Sequence, residues 1–287
     1  MWPGRFPRAP SRGRFHSPTH RIVTIHLLGT GAAVSDTDRT TTMLAFEADG
    51  AFFLVDCGAD AVRELMCADL DPARLSAVVL THEHPDHVSG FALLVEKLWL
   101  LGRREPIPVY GPESALRVAE SCFELYATDR WEGLPDREYH AVDEAPGAAV
   151  FERDGFRVTA TPVDHPVPTI GLRVEAASGA VAAYSADTAK SEAVADLARG
   201  ASVLVHEGTG HLPGVHASPE EAAETARDAG VRRLVLVHIP VGATDADLGA
   251  ARAVFPATEW GDDGERVSVP APGQTPRPSE ASLSYPA

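Results

Sequence analysis

Thr81-His82-Glu83-His84-Pro85-Asp86-His87 is the stretch on which the reading of this chain turns. It packs four ligand-type side chains, His82, His84, Asp86 and His87, into six residues directly after the apolar run Val78-Val79-Leu80. A buried strand fixes the backbone at its end, and the loop that follows can curl its side chains around one point. Imidazole and carboxylate suit zinc and other borderline divalent ions. Gly90 and an apolar helical pattern come next, which neither a disordered histidine tract nor a solvated loop would show.

Outward from this loop, short apolar runs alternate with helical patterns, as a layered α/β fold requires. Strands are predicted over residues 22–28, 52–55, 78–80, 107–110, 156–162, 170–175, 181–184, 202–206 and 233–237. Helices are predicted over 59–69, 90–101, 191–199 and 245–254, with another after Gly111-Pro112. Ser218-Pro219-Glu220-Glu221 has the form of a capping box with proline at the first helical position, so a further helix starts there and ends at Gly230. Single ligand-type residues recur at the ends of later strands: His165, Asp187, His206 with Glu207, and His238. Open α/β sheets place their ligands at such strand ends.

The chain has 287 residues, 44% of them hydrophobic, enough for a large core. No run approaches the roughly 18 apolar residues of a membrane span, so no membrane partner is expected. Three widely spaced cysteines, Cys57, Cys67 and Cys122, form neither a C-x-x-C pair nor a disulfide framework, and a reducing cytoplasm is the expected location. A formal net charge of −16 argues against general nucleic-acid binding, which needs a basic surface. Residues 1–20, rich in Arg, Pro, Gly and Ser, read as a disordered lead, 21–270 as one domain, and 271–287 as a Pro- and Ser-rich disordered tail.

The H-x-H-x-D-H loop, His165, Ser185-Ala186-Asp187-Thr188 and His238 together resemble the ligand set of the metallo-β-lactamase superfamily. Within it the chain is similar to the ribonuclease Z-like branch, on Leu28-Gly29-Thr30-Gly31-Ala32-Ala33, Val55-Asp56-Cys57-Gly58 and Val205-His206-Glu207-Gly208-Thr209. The resemblance implies an αββα sandwich of two mixed β-sheets with helices on the outer faces. It implies two divalent ions, Zn2+ by default with Mn2+ or Fe2+ as alternatives. One would be held by His82, His84 and His165, the other by Asp86, His87 and His238, with Asp187 bridging. A hydroxide shared by the ions would attack the substrate. His216, in His216-Ala217-Ser218, would serve the leaving oxygen, with Glu207 orienting it; the alternative is a loop-capping Glu207 beside a solvated His216. Asp86 is thus both a ligand and part of the catalytic set. Asp56 is expected to organise the loops by hydrogen bonding, and Asp164 to do the same for His165 or to be exposed.

Other residues carry simpler expectations. His16 and His20 fall in the lead, His26 in a strand and His140 in a loop. His206 is expected to be structural, His211 to lie on a loop, and Arg39 to be solvated or to meet an anionic substrate. The long tRNA-gripping arm and the basic loop of ribonuclease Z have no counterpart here, and Ile239-Pro240-Val241-Gly242 follows His238 where the branch often has an Arg-Tyr pair. The expected partner is therefore a small-molecule ester rather than tRNA, with a homodimer possible. The expected reaction is hydrolysis of a phosphodiester or similar small ester. Lactone or thioester hydrolysis on the same two ions, and mononuclear iron dioxygenation, remain open alternatives.

Overall fold

A computed structural model describes residues 23–274. The lead, with His16 and His20, and residues 275–287 of the tail lie outside the described residues.

The first half contributes strands β1 (Val23–Gly29), β2 (Met43–Ala48) and β3 (Ala51–Val55), helix α1 (Ala61–Cys67), and β4 (Leu75–Val79). After the ligand loop come α2 (Pro85–Val88), α3 (Phe91–Leu100), β5 (Ile107–Gly111), α4 (Glu113–Glu124) and β6 (Arg137–Ala141). The second half supplies β7 (Ala148–Arg153), β8 (Phe156–Pro162), β9 (Ile170–Ala176) and β10 (Val181–Tyr184). It continues through α5 (Glu192–Ala198), β11 (Val203–Glu207), α6 (Pro219–Ala229), β12 (Arg233–Val237), α7 (Asp245–Val254), β13 (Thr258–Trp260) and β14 (Arg266–Val269).

Two seven-stranded sheets result, ordered β14-β1-β2-β3-β4-β5-β6 and β13-β12-β11-β10-β9-β8-β7. Both are mixed: β3 to β6 and β10 to β13 pair in parallel, the rest antiparallel. The last strand, β14, crosses back to pair with β1.

Strand sequences explain the layering. Leu44 and Phe46 on β2, Phe53 and Val55 on β3, and Val205 and Val235 on β11 and β12 enter the core between the sheets. Their alternates, Met43 and Ala45, and Phe52 and Leu54, pack under α1, α3 and α4. Leu204, Leu234 and Leu236 pack under α5, α6 and α7. Strands buried on both faces read as continuous apolar runs, which is why they are legible without strict alternation. The architecture is thus the αββα sandwich expected from the sequence.

Helix α6 forms as its capping box dictates: Ser218 Oγ accepts from Glu221 N, the Glu221 carboxylate accepts from Ser218 N, and Gly230 closes it at φ 68°. Several expectations move. His140 lies in edge strand β6, stacked on Tyr110 at 4.8 Å between ring centroids, not in a loop. Strands β2, β7, β13 and β14 were not legible. Ala271, placed in the tail, packs against the inter-sheet core. Among the described residues no helix is long and apolar enough to cross a membrane.

Candidate metal centre

The C-terminal ends of β3, β4, β8, β10, β11 and β12 converge at one edge of the sandwich. Ile170 N donates to Thr81 O and Ile239 N to Thr30 O, so loops of the two sheets are laced together there. Three turning residues, Asp56, Ala186 and His238, hold φ of 60°, 54° and 54°. Left-handed backbone costs a non-glycine residue about 1–2 kcal/mol, and such strain gathers where surrounding structure over-determines a site.

Asp56 anchors the ligand loop, as expected. Its Oδ1 accepts from Thr81 N at 2.8 Å, and Oδ2 accepts from Thr81 Oγ1 and His87 Nδ1, both at 2.9 Å. Two glycines permit this close approach. A Cβ on Gly58 would stand 1.7 Å from Asp86 O, and one on Gly90 2.0 Å from Ala59 O.

The hydrogen bonds assign the ring tautomers. Thr81 gives its only hydroxyl proton to Asp56, so the His82 ring must donate from Nδ1 to Thr81 Oγ1, 3.0 Å away. His87 donates from Nδ1 to Asp56, and His165 from Nδ1 to Val215 O at 2.9 Å. In their neutral forms His82 and His165 therefore turn an unprotonated Nε2 inward, and His87 directs its Nε2 toward Asp86 and Asp187. His82 Nε2 and His165 Nε2 lie 3.1 and 3.2 Å from His84 Nδ1. One proton on His84 can satisfy only one of these lone pairs well, whereas a cation satisfies all three.

Next to this trio, His87 Nε2 is 3.5 Å from both Asp86 Oδ2 and Asp187 Oδ2. His238 Nε2 is 3.3 and 3.2 Å from the same two oxygens. His87 Nε2 and Asp187 Oδ1 are buried without a hydrogen-bond partner. Orphaned polar atoms of this kind cost about 1–3 kcal/mol each, a cost that a bound cation removes. Burial alone would depress His87, but Asp187 and Asp56 hold it well above the usual imidazole range; the pocket draws positive charge. The ligand atoms of His82, His84, His165 and Asp187 lie within 4.8 Å of one another, as do those of Asp86, His87 and His238. Five imidazoles and two carboxylates without a thiolate fit zinc or a similar divalent ion.

Beside these groups, His216 Nδ1 lies 2.9 Å from Glu207 Oε1. Glu207 also accepts from Thr188 N (2.8 Å) and Thr209 N (3.2 Å). His216 can join Asp187 and His238 in a third ligand-like group, and its ring centroid is 5.5 and 5.4 Å from those of His165 and His238. The structure therefore brings together every residue named for the site.

The neighbouring expectations resolve one by one. His165 is steered by the Val215 carbonyl, and Asp164 is exposed, the second of its two expected placements, with its backbone N donating to Thr188 Oγ1. Arg39 is neither solvated nor free for an anion: it donates to Thr30 Oγ1, Gly261 O and Asp262. His206 is buried and bonded to Glu207 O, His211 is exposed and paired with Glu221, and His26 pairs with Glu47. Thr81, Thr188 and Thr209 stood in the quoted segments without a role of their own, and Val215 was not picked out from sequence. A hydroxyl beside a ligand histidine is a weak signal, and a backbone carbonyl gives none.

Comparison with known proteins agrees with this geometry. Residues 52–239 match the family described as Beta-lactamase superfamily domain. The chain belongs to the metallo-β-lactamase superfamily. Within the superfamily it is ribonuclease Z-like. It is 30% identical to Ribonuclease Z of Methanothermobacter thermautotrophicus, over 89% of this chain and 99% of that protein. It is 32% identical to Ribonuclease Z of Mycobacterium marinum, over 87% and 100%. The metallo-beta-lactamase fold protein YhfI from Bacillus subtilis superposes with a TM-score of 0.71 at 21% identity, over 86% of this chain and 99% of that one. Human tRNase Z, short form, gives 0.70 at 23% identity over the same shares.

As a superfamily member with this donor set, the protein is a metal-dependent hydrolase that uses divalent metal. One expectation is overturned. A small-molecule ester partner with tRNA set aside does not agree with relatives that are ribonucleases and align over nearly their full length. Net charge sums over the whole chain and does not describe the mouth of the site. That no such arm was recognised in the sequence specifies no other substrate.

Proposed function

We propose that this protein is a two-metal phosphodiesterase of the ribonuclease Z type, hydrolysing a phosphodiester bond of RNA, with tRNA precursors the first substrate to test. The observation that carries the reading is Asp187, whose Oδ2 lies 3.8 Å from His82 Nε2, 3.5 Å from His87 Nε2 and 3.2 Å from His238 Nε2, between the two ligand groups.

On this reading His82, His84 and His165 hold one ion, Asp86, His87 and His238 the other, and Asp187 reaches both. Zinc is the default occupant, with manganese or iron suited to the same ligands. When bound, the pair supplies Lewis acidity toward the phosphoryl oxygens and acidifies the attacking water. The chain's own residues do the rest. Asp86, shared between ligation and the reacting centre, orients the nucleophile. His216 carries a proton at the edge of the site and delivers it to the leaving oxygen. Glu207, 1% exposed and fixed by two backbone donors, holds that ring and favours its charged form.

The test uses metal-loaded protein on a 3′-extended precursor tRNA, on bis(p-nitrophenyl) phosphate, and on lactone and thioester panels. Cleavage of the RNA, with D187A and H216A each strongly impaired, is expected. Turnover of lactones or thioesters with no phosphodiester cleavage would refute the proposal, as would a single iron per chain.

A further inference from the structure

We infer that Thr209 is a positioning residue that sets the tautomer of His238 and so presents its Nε2 lone pair to the second ligand group. Thr209 Oγ1 lies 2.6 Å from His238 Nδ1 and 2.9 Å from His238 O. A hydroxyl has one proton, and a carbonyl can only accept it. That proton goes to His238 O, so the ring donates from Nδ1 to Thr209 Oγ1. Nε2 is left bare, facing Asp86 Oδ2 and Asp187 Oδ2 at 3.3 and 3.2 Å.

Without this hydroxyl the preference reverses. Two carboxylate oxygens beside Nε2 favour a proton there, and a cation would first have to displace it. Thr209 therefore holds the ring in the form that those carboxylates, left alone, would disfavour. The same residue clamps the carbonyl of His238, whose backbone is left-handed at φ 54°. Thr42 Oγ1 receives His238 N at 3.1 Å, so the backbone is tied on both sides.

A second link widens the role. Thr209 N donates to Glu207 Oε2, while Glu207 Oε1 receives His216 Nδ1. One turn, Glu207-Gly208-Thr209, thus aligns His238 and His216 together. Partners that orient ligand histidines commonly change metal affinity by about 10–100-fold when removed.

This inference rests on the reading that Asp86, His87 and His238 hold an ion, but its first test does not. Metal-free protein carrying 15N-histidine is examined by long-range proton–nitrogen correlation at mildly alkaline pH, with H238Q identifying the His238 signals. Wild type and T209S should show the proton on Nδ1, and T209V on Nε2; a T209V ring still protonated at Nδ1 overturns the inference. Cobalt titration against a competing chelator then follows. T209V should weaken one binding event by about 10–100-fold, and T209S should match wild type. Equal affinity of T209V and wild type, or equal weakness of T209S and T209V, overturns it. Valine is close to isosteric, thermal unfolding of the metal-free variants checks folding, and T209A takes its place in both readouts if T209V does not fold. A wild type that fails to cleave RNA would defeat the proposed function while leaving both readouts interpretable.

Discussion

His216 Nδ1 and Glu207 Oε1 stand 2.9 Å apart, and the carboxylate is held beneath the ring by two backbone donors. Burial alone would push His216 down, but the hydrogen bond and charge of Glu207 override it and raise the imidazole above its ordinary value. A raised pKa keeps the proton in place below that value and loses it as pH climbs through it. The alkaline limb of kcat/KM should therefore lie above the ordinary imidazole range in wild type. E207Q removes the raising interaction and should move the limb to lower pH, while H216A should cost about 10²–10⁴-fold in kcat with KM little changed. A pH–rate profile that is identical in wild type and E207Q would remove Glu207 from this role.

Asp187 Oδ2 lies 3.8, 3.5 and 3.2 Å from Nε2 of His82, His87 and His238, so on the proposed reading its loss should disturb both ligand groups. Metal analysis of wild type should find two ions per chain, and D187A should retain fewer and bind them more weakly. Because the ions bind the folded chain, chelation should also lower thermal stability. At a free metal concentration of 100 times Kd, each site contributes about 2.7 kcal/mol by mass action. Unfolding temperatures insensitive to chelator would show that the imidazole cluster does not hold metal in solution.

The ligand loop was legible because its four ligand-type residues are contiguous and sit at a strand end; no tertiary contact is needed to see them. His165, Asp187 and His238 are single residues, and only their order and their likeness to a known ligand set singled them out. Helix α6 was legible to its caps because capping is local chemistry. Strands β6 and β7 were not: both are edge strands, β6 carrying mostly polar, exposed side chains and β7 only the short run Ala148-Ala149-Val150-Phe151, fully buried at Val150 alone. Arg39 misled because its partners Gly261 and Asp262 are more than 220 residues away in sequence. The carbonyl that steers His165 belongs to Val215, and no side-chain identity announces it.

Gly58 and Gly249 should respond in opposite directions to alanine. A Cβ on Gly58 would sit 1.7 Å from the Asp86 carbonyl oxygen, a backbone atom that cannot rotate away. Relief requires the turn after β3 to separate from the ligand loop, and G58A should cost at least the roughly 1–3 kcal/mol typical of overpacking and weaken metal binding through Asp86. Gly249 lies inside α7, exposed, with nothing within 4 Å of an added Cβ. G249A should therefore stabilise the fold by about 1 kcal/mol without altering metal affinity. Denaturant midpoints and metal titrations of the two variants check both signs.

Glu47 offers a stability test remote from the metal centre. It lies on β2 and meets His26 of β1 diagonally across the strand pair, Oε2 to Nε2 at 2.8 Å. The hydrogen bond from His26 lowers the carboxyl below its ordinary value; burial opposes this, and the charges of His26, Arg266 and Arg74 add to it. A depressed folded pKa contributes stability that is present above the unfolded glutamate value and disappears as pH falls through the folded one. E47Q keeps the shape of the side chain and discards its titration. The difference in unfolding temperature between wild type and E47Q should be largest near neutrality. It should shrink as pH falls from the ordinary glutamate range through the lowered one. A difference that stayed constant across that acid window would mean that the Glu47 contact contributes only as a neutral hydrogen bond.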